Sequence, residues 1–257
     1  MGARESISDG NPQVYRSHME DIDFPVLSAE RRHSPSTIAR VMKSLVCLIS
    51  GRGSNLEAIL RAQREQNWEQ TLGARVAAVV CNRAQAGGLS IAAAQGVPSH
   101  VLAHDAYSTR EEFDAALGAL IERYEPTLVV LAGFMRVLTA QFVARYRGHL
   151  INIHPSLLPA FAGLHTHRRA LQAGVRVHGA TVHFVSGDLD AGPIIAQAAL
   201  AVAPGESEAQ LAARVLALEH VLLPRCIAWI LAGKVRLDGQ RVLTEGLGAG
   251  DLLTFAK

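Results

Sequence analysis

From Ser44 onward the chain alternates short unbroken apolar runs with amphipathic stretches, and no other feature limits its folding as much. A strand covered on both faces needs a continuous apolar run, whereas a helix lying on a sheet needs a single apolar stripe. "LVCLIS" (residues 45–50) is such a run, and "GRGSNLEAILRAQREQ" turns sharply from it into a helix with Leu56, Ile59 and Leu60 on one face. "RVAAVVCN" (75–82) predicts a second buried strand, "GGLSIAAAQG" a second helix and "SHVLAH" a short third strand. "STREEFDAALGALIERYE" predicts an amphipathic third helix opened by a capping box from Ser108 to Glu111. "TLVVLAG" (127–133) and "GHLINIH" supply the fourth and fifth strands.

This order predicts an α/β fold: a Rossmann-like, doubly wound, mostly parallel sheet with helices on both faces. After Pro155 the rhythm changes, and a long loop leads to two strands, "HGATVHFVSG" and "GPIIAQAALAV", joined through "GDLDA". A helix should follow from Ser207 to about Ala232, opened by Ser207 and Gln210, closed by Gly233 and kinked at Pro224. "VRLDGQRVL" predicts a small hairpin at its Asp-Gly turn. Residues 1–42 have neither an apolar signal core nor sustained periodicity and are expected to be a disordered extension. The remainder, 43–257, divides into an anion-binding half (43–150) and a second half carrying the chemistry (151–257).

At 257 residues, 49% of them hydrophobic, the chain can bury a sizeable core. Its net charge of +2 is nearly balanced and its basic residues are scattered, which argues against nucleic acid or an anionic membrane as partner. Cys47, Cys81 and Cys226 are far apart and form no C-x-x-C pair, so they are expected to be buried hydrophobes in a reducing compartment. No uncharged apolar run approaches membrane-spanning length, and a soluble, cytoplasmic protein is expected, as monomer or homodimer.

In open sheets of this kind ligands sit beyond the carboxyl ends of the strands. Three strand ends carry polar candidates there: 51–55, 133–136 and 152–154. The first, "SGRGSNL", offers backbone N–H groups and a helix N-terminus to an anion, with Ser54 and Glu57 as a capping box. It lacks the third glycine of a dinucleotide fingerprint and the Gly-Lys-Ser/Thr of a P-loop, so a single phosphate on a small substrate fits it better. At the third, side-chain alternation places Leu150, Asn152 and His154 on one face and Ile151 and Ile153 on the other, and Pro155 ends the ladder. A lone strand histidine is ordinarily a packed one; a carboxamide beside it at a strand tip favours chemistry. Asp190 in "SGDLDAGP" is the expected third member, a carboxylate that favours the imidazolium of His154 and raises its pKa. Asn152 N–H and His154 would then stabilise an oxyanion, and the imidazole would pass a proton to a leaving nitrogen. No Ser or Cys stands in a nucleophile elbow, so direct transfer is expected. His165, His167, His178 and His183 form no H-E-x-x-H, and no metal is expected. His183 alternates with Thr181 and Val185, compatible with the same cleft and with packing in the strand.

With these residues located, "SGRGSNLEAIL", "VVLAGFMRVL", "INIHPSLLPAFAGLHTH", "HGATVHFVSGDLDAGPII" and "LEH" resemble the folate-dependent phosphoribosylglycinamide formyltransferases of purine synthesis. The resemblance implies transfer of the formyl group of 10-formyltetrahydrofolate, as co-substrate, to the amine of 5-phosphoribosylglycinamide. It implies Asn152, His154 and Asp190 as the catalytic trio. Gly53, Ser54 and Asn55, with Leu216, Ala217, Leu218 and Glu219, would hold the ribotide. Arg110, Met135, Arg136, Val137, Leu138, Asn152, Ser186, Gly187, Asp188, Leu189 and Asp190 would hold the folate. Arg52 and Gly187 depart from the family, which often carries a smaller polar residue and an acid there, and the N-terminal extension has no counterpart. Formyltetrahydrofolate deformylase, which passes the formyl group to water, should carry a regulatory domain before the first strand. Methionyl-tRNA formyltransferase should carry a C-terminal RNA-binding domain and a more basic surface. A non-catalytic binding protein would keep the glycine loop without needing the trio.

Overall fold

The computed structural model describes residues 42–256, so the expectation for the N-terminal extension lies, Met42 aside, outside the described residues. The first five strands and the three helices expected between them follow in order: β1 (Lys43–Ile49), α1 (Ser54–Glu65), α2 (Trp68–Thr71), β2 (Ala74–Cys81), α3 (Gly88–Ala94), β3 (Ser99–Val101), α4 (Arg110–Glu122), β4 (Pro126–Leu131), α5 (Ala140–Arg145) and β5 (Leu150–His154), the short helices α2 and α5 being additional. Then come α6 (Thr166–Gln172), β6 (Val177–Phe184), β7 (Ile194–Ala201), α7 (Glu208–Leu231), the hairpin β8 (Val235–Asp238) and β9 (Arg241–Thr244), α8 (Ala249–Leu252) and β10 (Leu253–Ala256).

Eight strands form one sheet in the order β10-β7-β6-β5-β4-β1-β2-β3. β6 is antiparallel to both β5 and β7, and the other pairings are parallel. The mostly parallel, doubly wound arrangement expected from the alternation is therefore present. Strand alternation divides the core into two layers. Leu45, Cys47, Ile49, Leu128, Val130, Ile151 and Ile153 pack with α1 and α7 on one face. Val46, Leu48, Val129, Leu131 and Leu150 pack with Phe113, Leu117 and Ile121 of α4 and Phe142 and Val143 of α5 on the other.

The three cysteines are free and buried. Burial pushes the Cys47 thiol up to about 12, which keeps it protonated and unreactive. Among the described residues no helix is long and apolar enough to cross a membrane.

Several local expectations are corrected. The capping box of α4 runs from Thr109 to Glu112, one residue later than expected, because the Glu112 carboxylate reaches back to the N–H groups of both Ser108 and Thr109. The N-cap of α1 is Gly53 at φ +83°, without a side-chain cap, and Ser54 is the first helical residue. The long loop after Pro155 contains α6, and the third strand stops at Val101. The capping box of α7, Ser207 with Gln210, is as expected.

Candidate active site

β1, β4 and β5 are adjacent and parallel, so their carboxyl ends open on one edge of the sheet. The loops after β1 and β4 are tied together: Ser50 N–H donates to the Gly133 carbonyl (3.2 Å), and Met135 N–H donates to Ser50 Oγ (2.7 Å).

In the glycine loop, Gly53 is required twice over. Its left-handed φ suits glycine, and an added Cβ would sit 2.4 Å from the Gly88 Cα. Gly88 N–H also donates to the Gly51 carbonyl, so the loop is braced by the start of α3. The first backbone bond inside α1 runs from Glu57 N–H to the Gly53 carbonyl. With no side-chain cap, the N–H groups of Ser54, Asn55 and Leu56 stay available to an anion, and the positive end of the helix dipole favours one. Asn55 Nδ2 donates to Glu219 Oε2 of α7 at 2.7 Å; both residues are buried, and Asn55 Oδ1 has no partner. Burial pushes the Glu219 carboxyl up to about 6, partly countered by the Asn55 bond. Leu218 is buried beside it, while Leu216 and Ala217 are half-buried. The loop and the α7 residues, far apart in sequence, therefore meet.

The second centre lies on β5. Asn152 and His154 share a face, opposite the buried Ile151 and Ile153, and pair with His183 and Thr181 of β6. His154 Nδ1 lies 3.3 Å from Asp190 Oδ2, with side chains only 7% and 9% exposed. His154 Nε2 donates to the Phe161 carbonyl at 3.1 Å. Both ring nitrogens thus face oxygen atoms that can accept a hydrogen bond. Gly163 N–H donates to Asp190 Oδ2 at 2.8 Å. Phe161 and Asp190, the two residues that hold His154, both have left-handed backbones, at φ +57° and +51°. Such conformations cost about 1–3 kcal/mol each and persist where the surroundings impose them.

The surroundings here are polar. Thr181 Oγ1 donates to the Ser156 carbonyl (2.7 Å) and accepts from Leu158 N–H (3.0 Å), and Gln197 Nε2 of β7 donates to the Leu158 carbonyl (3.0 Å). Arg169 of α6 donates to the Ala162 carbonyl and lies over the Phe161 ring. The loop over the strand tip is fixed from β6, β7 and α6. Beneath it, His167 Nδ1 and His178 Nε2 are 3.2 Å apart. Burial, with His167 next in effect, lowers His178 to about 4. Among the described residues no three His, Cys, Asp or Glu are grouped to hold a metal.

The residues expected to bind a flat ring are more dispersed. Met135, Val137 and Leu189 are exposed, Leu138 is buried, and Arg136 lies over the Phe113 ring at 4.9 Å. Ser186 Oγ donates to the Asp188 carbonyl, Gly187 has no neighbour that a Cβ would meet, and Asp188 is exposed. Arg110 opens α4 and is exposed. The Phe161 carbonyl and Gly163 N–H escaped sequence reasoning because backbone groups leave no residue signature, although the glycine in "AFAGL" was a cue.

The sequence matches the formyl transferase family over residues 42–227. It is 45% identical to phosphoribosylglycinamide formyltransferase of Escherichia coli K12 over 215 residues, covering 81% of this chain and 100% of that protein. It is 44% identical to the human trifunctional purine biosynthetic protein adenosine-3, covering 92% of this chain and 23% of that one. The solved structure of phosphoribosylglycinamide formyltransferase from Coxiella burnetii, in complex with CHES, superposes with a TM-score of 0.76 at 42% identity, covering 84% of this chain and 99% of that chain.

Proposed function

Because the chain belongs to the formyl transferase family, we infer that it is a phosphoribosylglycinamide formyltransferase, taking the formyl group of 10-formyltetrahydrofolate to the amine of the glycinamide ribotide. The observation that carries the chemistry is the contact of His154 Nδ1 with Asp190 at 3.3 Å, on the strand tip that also bears Asn152.

The reaction needs the acceptor amine's electron pair to form a bond to the formyl carbon, the carbonyl pair to move onto oxygen, and the bond to the folate nitrogen then to break with its pair returning to nitrogen. Asn152 and His154 place N–H donors where that oxygen becomes negative, the interaction that strengthens in the transition state. His154 supplies a proton to the departing nitrogen, and Asp190 compensates the ring's positive charge and keeps Nδ1 toward itself. In the structure His154 Nε2 is engaged by the Phe161 carbonyl, and the substrate takes that carbonyl's place as its partner. The amine's proton leaves to solvent or to the same site.

The helix end at Ser54, Asn55 and Leu56 receives the ribotide phosphate; the unpartnered Asn55 Oδ1 and the Glu219 carboxylate receive donors from the same molecule. The exposed apolar side chains of Met135, Val137 and Leu189 supply faces for the pteridine ring, which the polar atoms near Asp190 orient. Passing the formyl group to water instead would make no use of the helix-end cradle.

Tetrahydrofolate release from 10-formyltetrahydrofolate, measured with and without the ribotide, tests the reading. Release only with ribotide, in step with formylated product, is expected. Equal release in its absence identifies a hydrolase.

A further inference from the structure

Beside the trio sits a histidine with no part in the chemistry just described. His183 of β6 is 2% exposed and opposite Asn152 in the ladder. Its Nδ1 is 2.9 Å from the Phe184 carbonyl, its Nε2 3.3 Å from Asn152 Nδ2 and 3.9 Å from Asp190 Oδ1. A carbonyl can only accept, so Nδ1 carries a proton. Burial foremost, with the neighbouring His154 adding to it, lowers the ring's affinity for a second one against the opposing pull of the Phe184 and Asp190 oxygens. Nε2 is then a bare acceptor. The Asp190 oxygen stands beyond hydrogen-bond reach of it, as expected where no proton lies between them.

The Asn152 carboxamide has two orientations that differ by exchange of oxygen and nitrogen. With Nε2 bare, the amide oxygen facing it would set two acceptors against each other, and only the –NH2 end is compatible. That group has two N–H donors. One goes to His183; the other has no partner among the described residues.

We propose that His183 is a positioning residue for formyl transfer: its bare Nε2 accepts one N–H of Asn152 and so turns the other toward the point where the oxyanion forms. The proposal rests on the formyl-transfer reading of this site. It assigns His183 no proton transfer and no contact with substrate; the ring acts by fixing which end of the amide faces the reaction.

The test is a double-mutant cycle with a spectroscopic arm. His183→Leu removes the acceptor and should lower kcat roughly 100-fold through misplaced Asn152, with KM for both substrates little changed. His183→Gln offers an oxygen near the Nε2 position and should recover most of that loss. In the Asn152→Ala background His183→Leu should cause little further loss, because its only route of action is gone. Nitrogen-15 NMR of the wild-type ring at neutral pH should report a proton on Nδ1 and none on Nε2. Losses that multiply across the cycle, a Gln variant as poor as the Leu variant, or a proton on Nε2 would each overturn the proposal. The NMR arm needs no turnover, so a protein without ribotide-dependent activity would fail the functional reading while the ring assignment is still decided.

Discussion

β1 and β4 present apolar side chains to both sides of the sheet, whereas β6, and β5 beyond Leu150, do so on one side alone. Around β1, helices cover both faces: Leu45, Cys47 and Ile49 meet one layer, Val46 and Leu48 the other. Around β5 and β6, Ile151, Ile153, Val182 and Phe184 lie in the layer with α7. The opposite face carries Asn152, His154, Thr181 and His183, and Gln197 of β7 continues it. Loops close over that face in place of a helix, and loops can supply carbonyls and N–H groups aimed inward. Apolar packing and polar side chains are thus kept apart in one sheet: burial on both faces supplies the first, and a face under a hydrogen-bonded loop holds the second.

This separation can be broken by substitutions on either side. Asp190→Asn keeps the shape beside His154 and removes the charge, and should lower kcat by roughly 10³-fold with the melting temperature nearly unchanged, a steady-state and thermal-melt experiment. Leu48→Ala, at a position with 0% exposure, should do the reverse. It should destabilise by about 2–5 kcal/mol in denaturant titration while the folded fraction keeps its turnover. A Leu48 variant that loses turnover at full stability would dissolve the distinction.

Smaller changes sharpen it. Gly53→Ala places a Cβ against Gly88 at φ +83° and should destabilise by about 1–3 kcal/mol, with KM for the ribotide raised and KM for the folate unchanged in paired titrations. The smallest effect is on pH. The fold favours neutral His178, whose pKa is lowered from 6.5 to about 4, so its contribution is full above pH 6.5 and is lost as pH falls toward 4. Glu219, raised from 4.5 to about 6, acts oppositely, contributing fully below 4.5 and less as pH rises through 6. Thermal melts from pH 7 to 5 should therefore lose stability less steeply in His178→Gln, by on the order of 1 kcal/mol, and more steeply in Glu219→Gln.

How much of this was legible in the sequence follows the same division. The strands around β1 were, because two-sided burial writes an unbroken apolar run such as "LVCLI". Asn152 and His154 were also legible, since a polar pair at alternate positions of an apolar strand contradicts packing. The short elements α2, α5, α6, α8 and β10 were not, being too brief to show a period. Ser108 and Thr109 each head a capping-box pattern, to Glu111 and Glu112, and the backbone alone chose between them. The bond between Asn55 and Glu219 joins residues 164 apart, a distance that no local pattern spans. What holds His154, the Phe161 carbonyl, is a main-chain atom that every residue possesses.

Single-turnover transfer by His154→Ala, with both substrates bound in excess and folding checked by circular dichroism, tests the central claim most directly. An imidazole that stabilises the oxyanion and protonates the leaving nitrogen predicts a rate lowered by at least roughly 100-fold in a protein with a wild-type spectrum. A folded variant that transfers formyl at close to the wild-type rate would contradict it.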